Sequence, residues 1–258
     1  MVGIIYFFVI LGACILGAIV GLGGGVFIRP IFDAVGYHNV LNISFFSSSA
    51  ILTMAIASTI KKIKDGIRIN IPIAAAISTG AILGGILGNL ILEYLVAVFA
   101  VESSVQMVQI VLTVTVLLLS LFFTAKNNLR YQIKSPIICI IIGIFLGSIA
   151  SFLGIGGGPI NVPILMILFS LPIKTATAYS IIIIFFSHFA RLVTMGFTVG
   201  YGYFDLQILF FVIPAAAFGG LIGAKLSGIF SERVVKRLFQ ISISAVILLN
   251  IFNGIFVI

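Results

Sequence analysis

Two arginines stand inside stretches that are otherwise apolar: Arg29 in "GLGGGVFIRP", which runs from Gly21 to Pro30, and Arg191 in "SHFARLV". A guanidinium is a fixed cation rich in N–H donors. An ionisable side chain inside a membrane-length apolar run marks a functional site by default. With no nucleophile or metal-ligand cluster beside these arginines, the chemistry they suit is recognition of an anion. Arg29 lies four residues past Gly25, in the first turn of a short apolar segment. A cation there opposes the helix dipole, and an anion would supply the partner the helix does not. The bland alternatives are an Arg29 that snorkels to a headgroup and an Arg191 near the outer membrane interface.

A second stretch, "GIGGGPINVP", repeats the first 133 residues further on, from Gly21 to Gly154. Glycines this dense end a helix, at roughly 1 kcal/mol each relative to alanine. A new helix start after each loop, with Pro159 suited to its first turn, would aim free N–H groups at an anion. Gly23, Gly24, Gly25, Gly156, Gly157 and Gly158 are therefore candidate binding residues. Tight packing without a ligand is the alternative. A dinucleotide fingerprint is disfavoured, because Val26 and Pro159 stand where it needs glycine.

Further polar residues follow each loop. Ser180, Ser187, His188 and Arg191 fall near one helical face, and Ser44, Ser47 and Ser48 form the matching turn in the first half. Thr177 is the repeat mate of Ser44, and Asn161 adjoins Val162, the mate of Arg29. Ser44, Ser47, Asn161, Thr177 and Ser180 join the binding candidates, although serines in such helices often only bond a neighbouring helix. Asp33 and His188 are the chief proton-coupling candidates, with His38 and Asp205 behind them. Asp33 also stands one helical turn from Arg29, the spacing of a structural pair. Asp205 and Asn70 each open a long segment and read as N-caps.

These residues need elements to hold them, and composition says which. Of 258 residues 62% are hydrophobic and 8% charged, with mean hydropathy +1.36; a soluble domain carries roughly 25% charged residues. The chain is therefore an integral membrane protein. Charge-free runs cover 1–28, 34–60, 69–92, 103–125, 135–173, 206–224 and 238–258; a spanning helix needs about 20 apolar residues. The first apolar run lacks the basic start of a cleaved leader and reads as a retained helix. Cys14 and Cys139 lie at unmatched repeat positions inside apolar runs and read as packed thiols rather than a disulfide or a sulfur-handling pair. There is no CxxC and no metal spacing. The net charge of +8 reflects basic loops that set orientation, not nucleic-acid binding.

The chain is a duplication, about 1–130 and 131–258, joined at "AKNNLRYQIKSP". Besides the loops, Pro30, Ile31 and Ser47 align with Pro163, Ile164 and Ser180. At a shift of 135, Gly84, Gly85 and Gly88 align with Gly219, Gly220 and Gly223, and Asn70 with Asp205. Each half predicts a helix (3–20; 137–153), a glycine loop, a short segment (26–37; 159–172) and three long helices (43–60, 70–92, 104–123; 176–198, 206–226, 237–257). The fold class is thus all-α: a polytopic membrane protein of two homologous halves, about eight full-length helices plus two short broken segments. Inverted halves are favoured over parallel ones. They put Lys61, Lys62, Lys64, Arg68, Lys126, Arg130, Lys134, Lys174, Lys225, Arg233, Lys236 and Arg237, 12 of the 14 basic residues, on one face. Inverted repeats with helices broken at mid-membrane are a secondary-transporter plan.

The doubled "GxGGGxxxxP", the Ser/Thr-bearing helix after it and the later "GGxxG" resemble the sulfite exporter TauE/SafE family over nearly the whole chain. The resemblance implies a multi-pass inner-membrane permease for small sulfur-containing or organic anions such as sulfite, sulfonates or sulfoacetate. Its motif maps onto Gly21, Gly23, Gly24, Gly25 and Pro30, and onto Gly154, Gly156, Gly157, Gly158 and Pro163. Arg29 in the first copy and Pro159 in the second depart from it. The expected partners are the anion and the lipid bilayer, with a monomer or homodimer, no cofactor and no metal. No GxxxxGK[ST] is present, so active transport would use an ion gradient or an outside ATPase. A membrane enzyme or a non-transporting subunit handling a sulfur compound is the competing class. The enzyme lacks a recognisable nucleophile or metal centre, and the scaffold lacks a soluble domain for docking.

Overall fold

The computed structural model describes residues 2–67, 69–99, 102–125, 131–133 and 135–257. Arg68, Lys126, Arg130, Lys134 and the expected division at 130/131 lie outside the described residues. Among the described residues ten α-helices follow one another: α1 (Val2–Val20), α2 (Gly25–Val35), α3 (Val40–Lys64), α4 (Ile71–Val98), α5 (Glu102–Ala125), α6 (Pro136–Leu153), α7 (Gly158–Leu168), α8 (Ile173–Thr198), α9 (Leu209–Ile229) and α10 (Glu232–Val257). No strand occurs among the described residues, and eight of these helices are long and apolar enough to cross a membrane. The other two, α2 and α7, have 11 residues each. At 1.5 Å per residue they reach about 16 Å, roughly half of a ~30 Å hydrocarbon core.

Local chemistry sets the boundaries. Asn39 caps α3 by accepting from Asn42 N at 2.9 Å, and Asn70 caps α4 by accepting from Ile73 N at 3.3 Å. Asp205 caps too, but for Gln207 N at 3.1 Å, which opens a 3-10 turn. That turn delays α9 to Leu209, three residues beyond the expected start at 206. Helix α6 ends at Gly154, whose φ of 64° closes it in the left-handed region, a conformation that favours glycine. Cys14 and Cys139 are both buried and free.

The helices of one half pack mainly on those of the other, and each contact has its counterpart. Helix α4 lies on α6 as α9 lies on α1; α4 meets α8 as α9 meets α3; α5 meets α7 as α10 meets α2. Small residues let the backbones touch, as expected for helices associating in lipid. A methyl on Gly80, Gly84 or Gly88 would strike α6 carbonyls, and one on Gly219 or Gly223 would strike those of α1. The short helices are pinned by the same reciprocity: Asn253 Nδ2 donates to Pro30 O at 2.7 Å, and Ser120 Oγ donates to Pro159 O.

Helices α3 and α8, aligned with each other in the sequence repeat, cross the centre of the bundle in opposite directions. At one end Asn39 Nδ2, preceding α3, donates to Tyr203 Oη, beyond α8, at 2.8 Å. At the other end Lys62 Nζ, near the end of α3, donates to Thr177 Oγ1, near the start of α8, at 3.2 Å. Lys174 Nζ donates to Gly228 O at 3.1 Å, which brings the end of α9 to the same face. This face carries Lys61, Lys62, Lys64 and Lys174, whereas Glu93 sits at the other, accepting from Thr198 Oγ1 at 2.7 Å.

Candidate functional site

Arg29 points from α2 into the protein and is 3% exposed, which rules out snorkelling. Its Nη1 donates to Leu153 O at 2.7 Å and to Ser44 Oγ on α3 at 3.3 Å. Its Nη2 donates to Gln109 Oε1 on α5, and Nε lies 3.8 Å from Asp33 Oδ2. Gln109 completes the clamp by donating from Nε2 to Phe152 O at 2.8 Å. The guanidinium therefore closes off the carbonyl end of α6, where unsatisfied carbonyls welcome a cation.

Arg191 reaches the same place from α8. It is fully buried. Its Nε donates weakly to Asn89 Oδ1 at 3.4 Å, and both Nη1 and Nη2 are buried without a hydrogen-bond partner. A side chain attached to Gly154 would meet Arg29 Nη1 at 2.7 Å, Arg191 Nη1 at 3.0 Å and Ser44 Oγ at 3.7 Å. Two guanidiniums from opposite halves thus converge over a residue with no side chain. The described ion pairs are Arg29–Asp33 and Lys61–Asp65, so Arg191 has no carboxylate within 4.0 Å among the described residues. Like unit charges under about 6 Å apart, at an effective dielectric near 20, repel by about 3 kcal/mol. An anion between them would reverse that sign and satisfy the free donors. These are also the two basic residues outside the clusters expected to share one face.

The glycine loops build the floor. Ser47 Oγ donates to Gly154 O at 2.9 Å and Ser180 Oγ donates to Gly21 O at 2.7 Å, so each repeat-mate serine grips the first glycine of the opposite loop. Gly23 and Gly156 meet back to back: a Cβ on either would lie 3.3 Å from the other's Cα. Gly25 packs on Ser47, Gly24 on Cys14, and Gly158 on Leu22. The amides expected to be free at the second helix start are taken. Gly158 N donates to Gly156 O at 2.7 Å, Ile160 N and Asn161 N donate to Gly157 O at 3.1 and 2.9 Å, and Pro159 has no N–H. In the structure these glycines pack closely, and beside them Arg191 carries donors without partners.

The remaining candidates divide. His188 Nδ1 and Ser48 Oγ share a hydrogen bond at 3.2 Å, and Nε2 of His188 is buried without a partner, one turn from Arg191. Asn161 Nδ2 and Oδ1 are likewise buried and unpartnered, against Gly157. Thr177 belongs to the other glycine loop, beside Gly21. His38 lies outside the cluster, in the α2–α3 loop, where Tyr6 Oη and His38 Nδ1 share a hydrogen bond at 2.8 Å. Burial pushes the His38 imidazole below its ordinary value, and the charge of Asp205 opposes that shift. No group of three or more His, Cys, Asp or Glu that could hold a metal occurs among the described residues.

Sequence reasoning missed Gln109, Asn89 and Lys62. The first two were visible as amides inside apolar runs; Lys62 was hidden in a basic cluster read as an orientation signal.

A family model described as "Sulfite exporter TauE/SafE" matches residues 6–249. The chain is similar to the probable membrane transporter protein YunE of Bacillus subtilis (strain 168), 31% identical over 117 residues, which span 45% of this chain and 42% of that protein. It is 28% identical over 113 residues to the probable membrane transporter protein MamO of Paramagnetospirillum magneticum, spanning 42% of this chain and 18% of the relative. The chain thus covers less than half the length of either. Over 252 residues it is 23% identical to the probable membrane transporter protein MJ0441 of Methanocaldococcus jannaschii, spanning 90% of this chain and 88% of the relative. No solved structure matches.

Proposed function

The chain belongs to the sulfite exporter TauE/SafE family, a family of multi-pass membrane transporters, and from that premise we propose a secondary permease for small sulfur-containing or organic anions, working in the inner membrane through inverted halves. One observation carries the reading: the two buried, partnerless Nη nitrogens of Arg191, beside Arg29 over the bare face of Gly154. A small tetrahedral or pyramidal oxyanion accepts from both guanidiniums at once, and Ser44 Oγ is placed to add a third contact. Asp33 supplies coupling. It holds Arg29 at 3.8 Å while its Oδ1 has no hydrogen-bond partner. A proton on Asp33 removes the anion's competitor for Arg29, so anion and proton bind together. The basic face is the cytoplasmic one.

Proteoliposomes test this. Sulfite, thiosulfate or a small sulfonate should cross faster with the wild-type protein than with Arg29→Ala or Arg191→Ala, and an inward-acid gradient should accelerate uptake. Equal fluxes for all three proteins, across all these anions, would overturn it.

A further inference from the structure

The reciprocal packing of the halves maps the Gly154 site onto Gly21. Gly21 O accepts from Ser180 as Gly154 O accepts from Ser47. Where Ser44 stands beside Gly154, its mate Thr177 stands beside Gly21; a Cβ there would lie 2.6 Å from Thr177 Cα. The cations do not map. The mate of Arg29 is Val162 and that of Arg191 is Ser58. Ser58 is fully buried, and its Oγ has no partner. One turn beyond it, Lys62 fills the vacant role from a different position.

Lys62 is 2% exposed. Its Nζ donates to Thr177 Oγ1 at 3.2 Å, and Thr177 Oγ1 donates in turn to Lys174 O at 2.8 Å. Among the described residues no carboxylate lies within 4.0 Å of Lys62; its neighbour Asp65 pairs with Lys61 at 2.5 Å. Lys174 is one turn before Thr177. A buried ammonium with a single neutral acceptor, a second ammonium in the same corner and an unpartnered hydroxyl together lack a negative partner.

We propose that Lys62, Thr177, Lys174 and Ser58 form a second anion station, on the basic face, for the same small oxyanion that the Gly154 site takes. This rests on the permease reading. The two stations differ by design: two planar guanidiniums fix an oxyanion by paired donors, whereas an ammonium on a flexible stem holds it as a point charge. The Lys62 station is the weaker, exchanging one, through which the anion enters or leaves the core on the basic side.

Equilibrium binding of radiolabelled sulfite to the full chain, purified in detergent without added phospholipid, tests this. The expected stoichiometry is two per protein in the wild type and in Lys62→Arg, and one in Lys62→Met and in Arg191→Met. Should Lys62→Met fail to fold, Thr177→Val and Lys174→Gln carry the expectation as at least a tenfold weaker second affinity. One sulfite per wild-type protein, lost in Arg191→Met and untouched by the Lys62, Thr177 and Lys174 changes, overturns the second station and leaves the permease standing. Phosphatidylglycerol that co-purifies with the wild type and departs in Lys62→Met, with one sulfite bound throughout, overturns it in favour of a lipid headgroup. No binding of sulfite, thiosulfate or methanesulfonate to any form overturns both readings.

Discussion

Arg29 and Arg191, 162 positions apart on helices of opposite halves, each bring an Nη1 within 3.0 Å of a single point above Gly154. The four terminal nitrogens divide by arginine. Both from Arg29 are bonded to protein acceptors, and both from Arg191 are not. Arg29 is thus held in place by the protein, whereas the terminal donors of Arg191 are unspent.

Gly154→Ala should abolish anion flux while leaving a folded protein. The methyl would enter the gap that both guanidiniums face, and φ of 64° strains any L side chain by about 1–2 kcal/mol. The check is uptake into proteoliposomes alongside thermal unfolding in detergent. Wild-type flux from a well-folded Gly154→Ala protein would contradict the site.

Arg191→Met should unfold at a higher temperature than wild type when no anion is present, because it removes an uncompensated buried charge. It should also lose the rise in Tm that sulfite gives the wild type, where a ligand at 100 times its Kd stabilises by roughly 2.7 kcal/mol. Thermal melts with and without sulfite read both effects. A lower Tm without anion, together with a retained sulfite shift, would contradict the role given to Arg191.

Asp33→Asn should keep anion binding and lose the dependence of flux on a proton gradient. The amide cannot titrate, and it no longer competes with the anion for Arg29. Uptake measured with and without an inward-acid gradient should become equal in the variant and remain unequal in the wild type.

His38 gives a pH signature away from the site. Its folded-state value is lowered by burial, against the pull of Asp205. The fold therefore favours the neutral imidazole. That stability is present above the ordinary His value near 6.5 and is lost as pH falls below it. His38→Gln should flatten the decline of Tm on the acid side of neutrality; an unchanged slope would assign the decline to other groups.

The helices were legible because a membrane demands long apolar runs, and ten such elements follow from the run lengths and the two glycine loops. Arg29, Arg191, Ser44 and Ser47 were legible as cost: each is a polar group where lipid or packing disfavours one. What could not be read was partnership. Gln109 meets Arg29 across 80 residues and Asn89 meets Arg191 across 102, distances over which helix periodicity carries no information. The free amides expected after the second loop were misplaced for a local reason. Gly157, at φ of 62°, turns the chain so that Gly158 N bonds back to Gly156 O.

The crossed packing of the halves bears on how the protein is made. Helix α1 finds its main neighbour in α9, and α4 finds its own in α6 and α8. A ribosome delivering the chain from its first residue therefore leaves α1 without the glycine face of α9 that packs on it, and the serines of α3 without Gly154 and His188, until those later helices are inserted. The grip of Ser180 on Gly21 closes only after α8 is in place. The cluster over Gly154 is accordingly completed only by α8, which carries Arg191, and α1 gains its main neighbour only with α9.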